Sequence, residues 1–117
     1  MPVYVDNMRA PYGRMIMCHM TADTLEELHA MADTIGIKRR WFQQPPKASH
    51  PHYDISLGKR ALAIKNGAKE IRKYALLFYA AKLNIEWGLS REQTNPKWIE
   101  SQRKKMERAR QYVENCD

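Results

Sequence analysis

The sequence predicts a small single α/β domain, with a short sheet and helices packed on it, followed by a helical C-terminal extension. Strand-like and helix-like patterns alternate as far as residue 71, and from residue 72 onward only helical patterns follow. The length of 117 residues suits one domain, and 44% apolar with 28% charged residues is typical of a globular chain. We therefore expect the α/β domain over residues 1–71 and the extension, packed on the same domain, over residues 72–117.

The first elements are two strands joined by a loop. Residues 2–5 are rich in valine and tyrosine and predict a short strand that presents Asp6 at its end. Proline and glycine mark residues 7–13 as a loop. Residues 15–20 predict a second strand, on which period-two alternation places His19 on the face opposite Cys18.

A helix follows this strand pair. Thr24 and Glu27 have the spacing of a capping box, and an apolar stripe with three and four residue spacing continues to about residue 35. Gly36 then supplies the left-handed residue that often ends a helix. Residues 37–42 combine β-branched and aromatic residues, which predicts an extended segment.

Three prolines make residues 43–52 the main irregular loop of the chain. Residues 53–55 predict a short strand, after which Ser56 is a good N-cap for a helix that ends near Gly67. Residues 69–71 predict one more short strand.

The extension contains two predicted helices. Residues 72–87 are apolar on most sides, which predicts a buried helix, and Gly88 is expected to end it. Asn95 followed by Pro96 predicts the start of a final helix over about residues 97–114. Its apolar stripe is thin, so we expect it to dock weakly or to contact another chain, with a homodimer as one outcome.

Charge and composition bear on partners. Lys and Arg total 20 against 13 Asp and Glu, a net charge of +7, which favours an anionic partner such as nucleic acid, a nucleotide or an acidic protein surface. The longest apolar run, residues 74–81, is far shorter than the roughly 20 residues of a membrane span. Without a secretory signal pattern, and with only Cys18 and Cys116, the chain is expected to be cytoplasmic, with no membrane partner.

The densest basic and aromatic segment runs from Lys38 to Arg60 and has a local net charge of +5. Guanidinium groups bind phosphate oxygens and aromatic rings stack on bases, so this composition predicts a binding site for a phosphate-bearing ligand. The alternative is that the rings pack at the core edge and the cations are ordinary surface charges. The candidate ligand-binding residues are Arg39, Arg40, Trp41, Tyr53, Lys59 and Arg60.

A second group of polar residues predicts acid/base chemistry. His50, His52 and Asp54 alternate, so on an extended backbone they share one face. If the protein is an enzyme, we expect His52 to act as general acid or base with Asp54 orienting it, and His19 and Asp6, on or just after predicted strands, to complete a catalytic group. The alternative is that these histidines are purely structural. The spacing matches no known metal motif, so the sequence assigns no metal ligands, and a metal-dependent hydrolase remains an alternative.

Five short motifs occur in one order along the chain, namely Tyr4–Asp6, Cys18–Met20, Ala22–Thr24 with Glu27–His29, Arg40–Phe42 and His52–Ile55. Together they resemble an uncharacterised domain family of bacteria and bacteriophages, and the similarity covers about residues 2–71. The resemblance implies a small cytoplasmic protein of a bacterium or phage but no activity. The polar residues within the motifs are Asp6, His19, Asp23, His29, His52, Tyr53 and Asp54.

The leading functional hypothesis is binding of nucleic acid or a nucleotide, with phosphodiester or nucleotide chemistry if the protein is an enzyme. The alternative from another class is a phage effector that binds and blocks a host or defence protein. The sequence identifies no cofactor, no specific substrate and no oligomeric state.

Overall fold

The computed structural model describes residues 2–114 and confirms the α/β prediction. Within these residues one mixed sheet of five strands is combined with four α-helices and a short 3₁₀ turn over Arg39–Trp41. The strands are β1 (Val3–Val5), β2 (Ala10–Tyr12), β3 (Met15–Ala22), β4 (Tyr53–Ser56) and β5 (Lys69–Glu70). The helices are α1 (Leu25–Thr34), α2 (Leu57–Lys65), α3 (Leu76–Leu89) and α4 (Pro96–Glu114).

The long strand β3 organises the sheet. It pairs antiparallel with β1, β2 and β4, and β5 adds to β1 in parallel. The core lies against the face of β3 that carries Cys18, Met20 and Ala22, and it is completed by fully buried Leu28 of α1 and Leu83 of α3. The opposite face of β3 is therefore the one that carries His19.

The predicted starts of α1 and α2 are confirmed, whereas α3 begins at Leu76, later than the predicted residue 72. The Thr24 hydroxyl accepts a hydrogen bond from the Glu27 backbone N–H at 3.1 Å, and the Ser56 hydroxyl accepts one from the Lys59 N–H at 3.3 Å. Each bond satisfies an amide that the first helical turn leaves unpaired. These local contacts set where α1 and α2 begin.

The structure differs from the sequence prediction in two segments. Residues 7–13 are not only a loop, because Ala10–Tyr12 forms β2 and pairs with the start of β3 through a turn at Gly13, whose φ is +59°. Residues 37–42 are not a strand, because the backbone N–H groups of Trp41 and Phe42 bond back to the carbonyls three residues earlier, each at 3.0 Å. Side-chain propensity favours an extended segment there, but no neighbouring strand pairs with it.

The prediction that Gly88 ends the third helix is wrong. Helix α3 continues through Gly88 to Leu89. A glycine is needed at this position because α4 crosses close to it, and a side chain there would collide with Ile99 and Trp98. Nor is α3 buried on all sides, since Leu77 is 53% exposed. The glycine serves helix packing rather than helix termination.

The last helix docks within the same chain. Helix α4 packs on α3 through buried Ile99, Gln102 and Ala109, and α3 in turn contacts β3 and α1. The domain boundary at residue 72 and a homodimer through α4 stay predictions. None of the helices between residues 2 and 114 is long and apolar enough to cross a bilayer. Cys18 is a buried free thiol, and Cys116 lies outside the described residues.

Candidate functional site

The sheet register brings three predicted site residues into one row. His19 of β3 lies directly opposite Asp54 of β4, and on the other side of β3 the Asp6 N–H donates to the His19 carbonyl at 3.0 Å. Residues directly opposite in a sheet point to the same face, and the next pair along, Met20 with Tyr53, points to the other face. The row of Asp6, His19 and Asp54 therefore lies on the face away from the core cluster.

Asp6 is a buried anchor for His19. One oxygen of its fully buried carboxylate, Oδ1, accepts from the His19 backbone N–H at 2.7 Å and from the Met8 N–H at 3.3 Å. The other, Oδ2, lies 2.7 Å from His19 Nδ1. Burial opposes ionisation of Asp6, but the bonds from His19 outweigh it and keep the pKa of Asp6 below its ordinary value. The same contact raises the pKa of His19 against its partial burial.

His52 and Asp54 form the second part of the cluster. His52 Nδ1 lies 2.8 Å from the His50 carbonyl, and its Nε2 lies 3.3 Å from Asp54 Oδ1. The other Asp54 oxygen accepts a hydrogen bond from Gln43 Nε2 at 2.6 Å. The contact with His52, together with the bond from Gln43, outweighs burial and holds the pKa of Asp54 below its ordinary value. His19 Nε2 lies 3.8 Å from Asp54 Oδ1, the oxygen that also faces His52.

The two predicted histidines do converge. The rings of His19 and His52 are 5.2 Å apart between centroids, in an edge-to-face arrangement. His50 stacks on His52 with centroids 4.4 Å apart, and its Nε2 has no hydrogen-bond partner among the described residues. Burial, with help from the neighbouring histidines, lowers the pKa of His50 to about 3, so this ring is neutral at physiological pH.

A cavity of about 940 Å³ opens beside this cluster, between the β2–β3 hairpin and the 3₁₀ turn. His19 and Asp54 form part of its wall, whereas His52 does not line the cavity. Three cations border the same space: Lys38, Arg40 and Lys59. We call this space the basic cavity.

Four exposed apolar side chains also line the basic cavity. Met8, Tyr12, Met15 and Trp41 are 50%, 74%, 47% and 59% exposed. Apolar groups this exposed, gathered around one opening, are typical of a binding surface.

Half of the predicted ligand-binding residues line the basic cavity, namely Arg40, Trp41 and Lys59. Arg40 lies over the Trp41 ring, with its guanidinium carbon 5.2 Å from the ring centroid. Lys59 donates from Nζ to the Ile35 carbonyl at 2.7 Å, so its ammonium group is already partly engaged at the C-terminal end of α1.

The other predicted ligand-binding residues are engaged elsewhere. Arg39 forms an exposed ion pair with Asp33, 2.9 Å away. Tyr53 is buried on the core face, with its hydroxyl 2.8 Å from His29 Nδ1. Arg60 donates from Nε to the Asp6 carbonyl at 2.8 Å, so it holds the backbone of Asp6.

Sequence reasoning missed Gln43, Lys38 and Tyr12 as site residues. Gln43 forms an isolated bridge with His52, which brings its side chain to Asp54. No local pattern signals that pairing. Tyr12 lines the basic cavity as part of strand β2, Ala10–Tyr12. The sequence did not predict this strand, because Pro11 and Gly13 are typical of a loop.

The cluster has the elements of either an acid/base group or a metal centre. Among the residues that the structure describes, His19, His52 and Asp54 form a group in which one ligand atom from each lies within 4.8 Å of the others.

Comparison with known proteins gives a family but no activity. No curated protein and no solved structure shows significant similarity to the chain. A family described as a protein of unknown function, DUF4031, matches residues 3–82, which runs past the expected residue 71 into α3. The match spans all the residues of the row and the basic cavity. The chain belongs to the DUF4031 family.

Proposed function

We propose that the protein binds a phosphate-bearing ligand, nucleic acid or nucleotide, in the basic cavity, and that the adjacent histidine and aspartate cluster acts on a phosphate ester of that ligand. One observation carries the proposal: a single opening of about 940 Å³ is bordered by cations, by an exposed indole and by His19 with Asp54. Phosphate recognition, base stacking and proton transfer each need one of these groups.

The cations most available to a phosphate are Lys38 and Arg40. Both are exposed, and among the described residues neither forms an ion pair with a carboxylate. The guanidinium of Arg40 already stacks on Trp41. A base that stacks on the free surface of the indole would therefore bring its phosphate toward Arg40.

Acid/base work falls to His19 in this proposal. Its side chain is 21% exposed and borders the basic cavity, whereas the His52 side chain is 8% exposed and does not. Asp6 orients the His19 ring and supports a positive charge on it, as a buried carboxylate does for a catalytic imidazole. Asp54 lines the same cavity, and His52 supports it through the 3.3 Å contact between His52 Nε2 and Asp54 Oδ1.

The setting of this function is proposed to be the cytoplasm of a bacterium or phage-infected cell. The buried free thiol of Cys18 supports a reducing compartment.

The test compares two neighbouring arginines. Binding of fluorescent single-stranded and double-stranded oligonucleotides and of nucleotides is measured at increasing salt, for Arg40→Ala and for Arg39→Ala. Arg39 is the matched control, because it is exposed but paired with Asp33 outside the basic cavity. We expect wild-type binding to fall with salt, and Arg40→Ala to weaken binding about tenfold while Arg39→Ala leaves it unchanged.

Two results contradict the proposal. One is no retention of any oligonucleotide or nucleotide at low salt. The other is equal binding by the two arginine variants. A discrete protein partner that survives nuclease treatment, in the absence of any nucleotide binding, supports the effector alternative instead.

A further inference from the structure

We propose that His19 Nε2, His52 Nε2 and Asp54 Oδ1 form the protein part of a mononuclear site for a divalent first-row transition metal ion such as Zn²⁺ or Mn²⁺. The inference does not depend on phosphate binding, and with an ion bound His19 Nε2 would be a ligand and would not act as the acid/base group proposed above. It rests on three potential ligand atoms, two imidazole nitrogens and one carboxylate oxygen, that face one another within 4.8 Å.

The His52 tautomer follows from its neighbour. A backbone carbonyl only accepts hydrogen bonds, so the 2.8 Å contact with the His50 carbonyl places the proton of neutral His52 on Nδ1. Its Nε2 then carries a lone pair, and that lone pair faces a carboxylate oxygen 3.3 Å away. Two acceptors at this distance repel each other unless a proton on Nε2 or a metal ion lies between them.

The His19 tautomer follows in the same way. Both oxygens of Asp6 are acceptors, and Oδ2 lies 2.7 Å from His19 Nδ1, so that nitrogen donates. Nε2 of neutral His19 is left as a second lone pair directed at Asp54. A buried carboxylate behind a histidine ligand is the usual support in metal sites, because it fixes the ring and makes the free nitrogen more basic.

The spacing suits one ion. Ligand atoms bonded to one metal at about 2.1 Å, at angles near 90° to 109°, lie roughly 3.0 to 3.4 Å apart. The observed separations are 3.3 Å from His52 and 3.8 Å from His19 to the shared Asp54 oxygen, and all three ligand atoms lie within 4.8 Å of one another. To hold one ion, the His19 to Asp54 separation would shorten by about 0.4 Å, and the separation of the two imidazole nitrogens, which is at most 4.8 Å, by up to about 1.4 Å.

A proton on His52 Nε2 would account for the 3.3 Å contact with Asp54, but it would not bring in His19, whose Nε2 lies 3.8 Å from Asp54 and is too far away for a hydrogen bond. Two imidazole nitrogens and one carboxylate oxygen match the donor preference of Zn²⁺ or Mn²⁺ rather than that of Ca²⁺, which prefers oxygen ligands only.

The site is open on one side. The Asp54 side chain is 39% exposed, and Asp54 and His19 both border the basic cavity. Three protein ligands leave the remaining coordination positions on that side for water or for a phosphate oxygen. His50, stacked behind His52, fixes the ring rather than binding the ion.

The experiment is a titration of the untagged, metal-free protein with Zn²⁺ by calorimetry and with Co²⁺ by visible absorption. We expect one site per chain at neutral pH, with a Co²⁺ spectrum typical of nitrogen and oxygen ligands. Asp54→Asn and His19→Gln should each weaken binding by at least about 100-fold, since loss of a ligand costs more than loss of its support. Asp33→Asn and His29→Gln are the matched controls and should bind as wild type.

Several results would overturn the site: no stoichiometric binding by the wild type, or equal binding by Asp54→Asn and Asp33→Asn. Circular dichroism and urea unfolding of each variant exclude loss of fold, and Asp54→Asn is the more secure variant because its side chain is partly exposed. Failure of metal binding with intact oligonucleotide binding removes the metal site alone, and the converse removes only the phosphate proposal.

Discussion

Replacing Asp6 by Asn tests how the buried carboxylate controls His19. Oδ1 accepts from two backbone N–H groups, which remain donors whatever the side chain, so the amide oxygen of Asn must take that position. The amide NH₂ then occupies the position of Oδ2, 2.7 Å from His19 Nδ1, and donates to it. His19 must change tautomer, and its Nε2 then points a hydrogen, not a lone pair, at Asp54.

The magnitudes follow from the same geometry. No hydrogen bond is lost in number, but the two short bonds from His19 cease to be charge-assisted, which costs about 1 kcal/mol each and is partly offset by the cheaper burial of a neutral amide. We expect Asp6→Asn to lose about 1 to 2 kcal/mol of unfolding free energy and to remain folded. Metal affinity should fall about 10- to 100-fold, as for other carboxylates that support a histidine ligand.

Urea unfolding and Zn²⁺ calorimetry of Asp6→Asn measure both quantities, with Asp33→Asn as the exposed carboxylate control. The tautomer argument would be refuted if Asp6→Asn showed the expected loss of stability but bound Zn²⁺ as tightly as the wild type and Asp33→Asn do.

Two further predictions concern the scaffold. Gly88→Ala should gain up to about 1 kcal/mol of helix propensity but lose about 1 to 3 kcal/mol by crowding Ile99, so we expect net destabilisation in urea unfolding; a more stable variant would contradict the close approach of α4. Burial, followed by the nearby charge of Asp23, raises the pKa of Tyr4, so the folded protein keeps this phenol protonated where the unfolded chain ionises. The stability from Tyr4 is therefore full below about pH 10 and falls as the pH rises above it, and unfolding of Tyr4→Phe measured across this range should show a smaller alkaline loss than the wild type.

Local signals in the sequence were sufficient for much of the fold. Thr24 and Ser56 fix the starts of two helices through contacts within three residues, and such short-range contacts can be predicted from the sequence. The role of Gly88 could not be predicted, because it depends on where α4 crosses α3. Likewise the 3₁₀ turn at Arg39–Trp41 replaces the expected strand, since strand formation needs a partner that the sequence does not reveal.

The site divides in the same way. Alternation over residues 50–54 predicts His52 and Asp54 on one face, and the two side chains do meet, because a two-residue period is local. Arg40 borders the basic cavity, whereas its neighbour Arg39 pairs with Asp33. The conformation of the 3₁₀ turn decides which of the two arginines faces the cavity, and residue composition does not predict that conformation. The sequence assigned no metal ligands for a related reason: the ligand set is assembled by pairing between distant strands and matches no linear motif.

The row of Asp6, His19 and Asp54 has a consequence for how the protein acquires its chemistry. Asp6 follows β1, His19 lies in β3 and Asp54 lies in β4, so no short fragment of the chain carries the cluster. A shift of β4 by a single position along β3 would turn Asp54 inward and present an apolar neighbour in its place. During refolding, recovery of ion binding should therefore keep pace with docking of β4 and not with the earlier appearance of helical signal, so a chain that is merely collapsed remains inert.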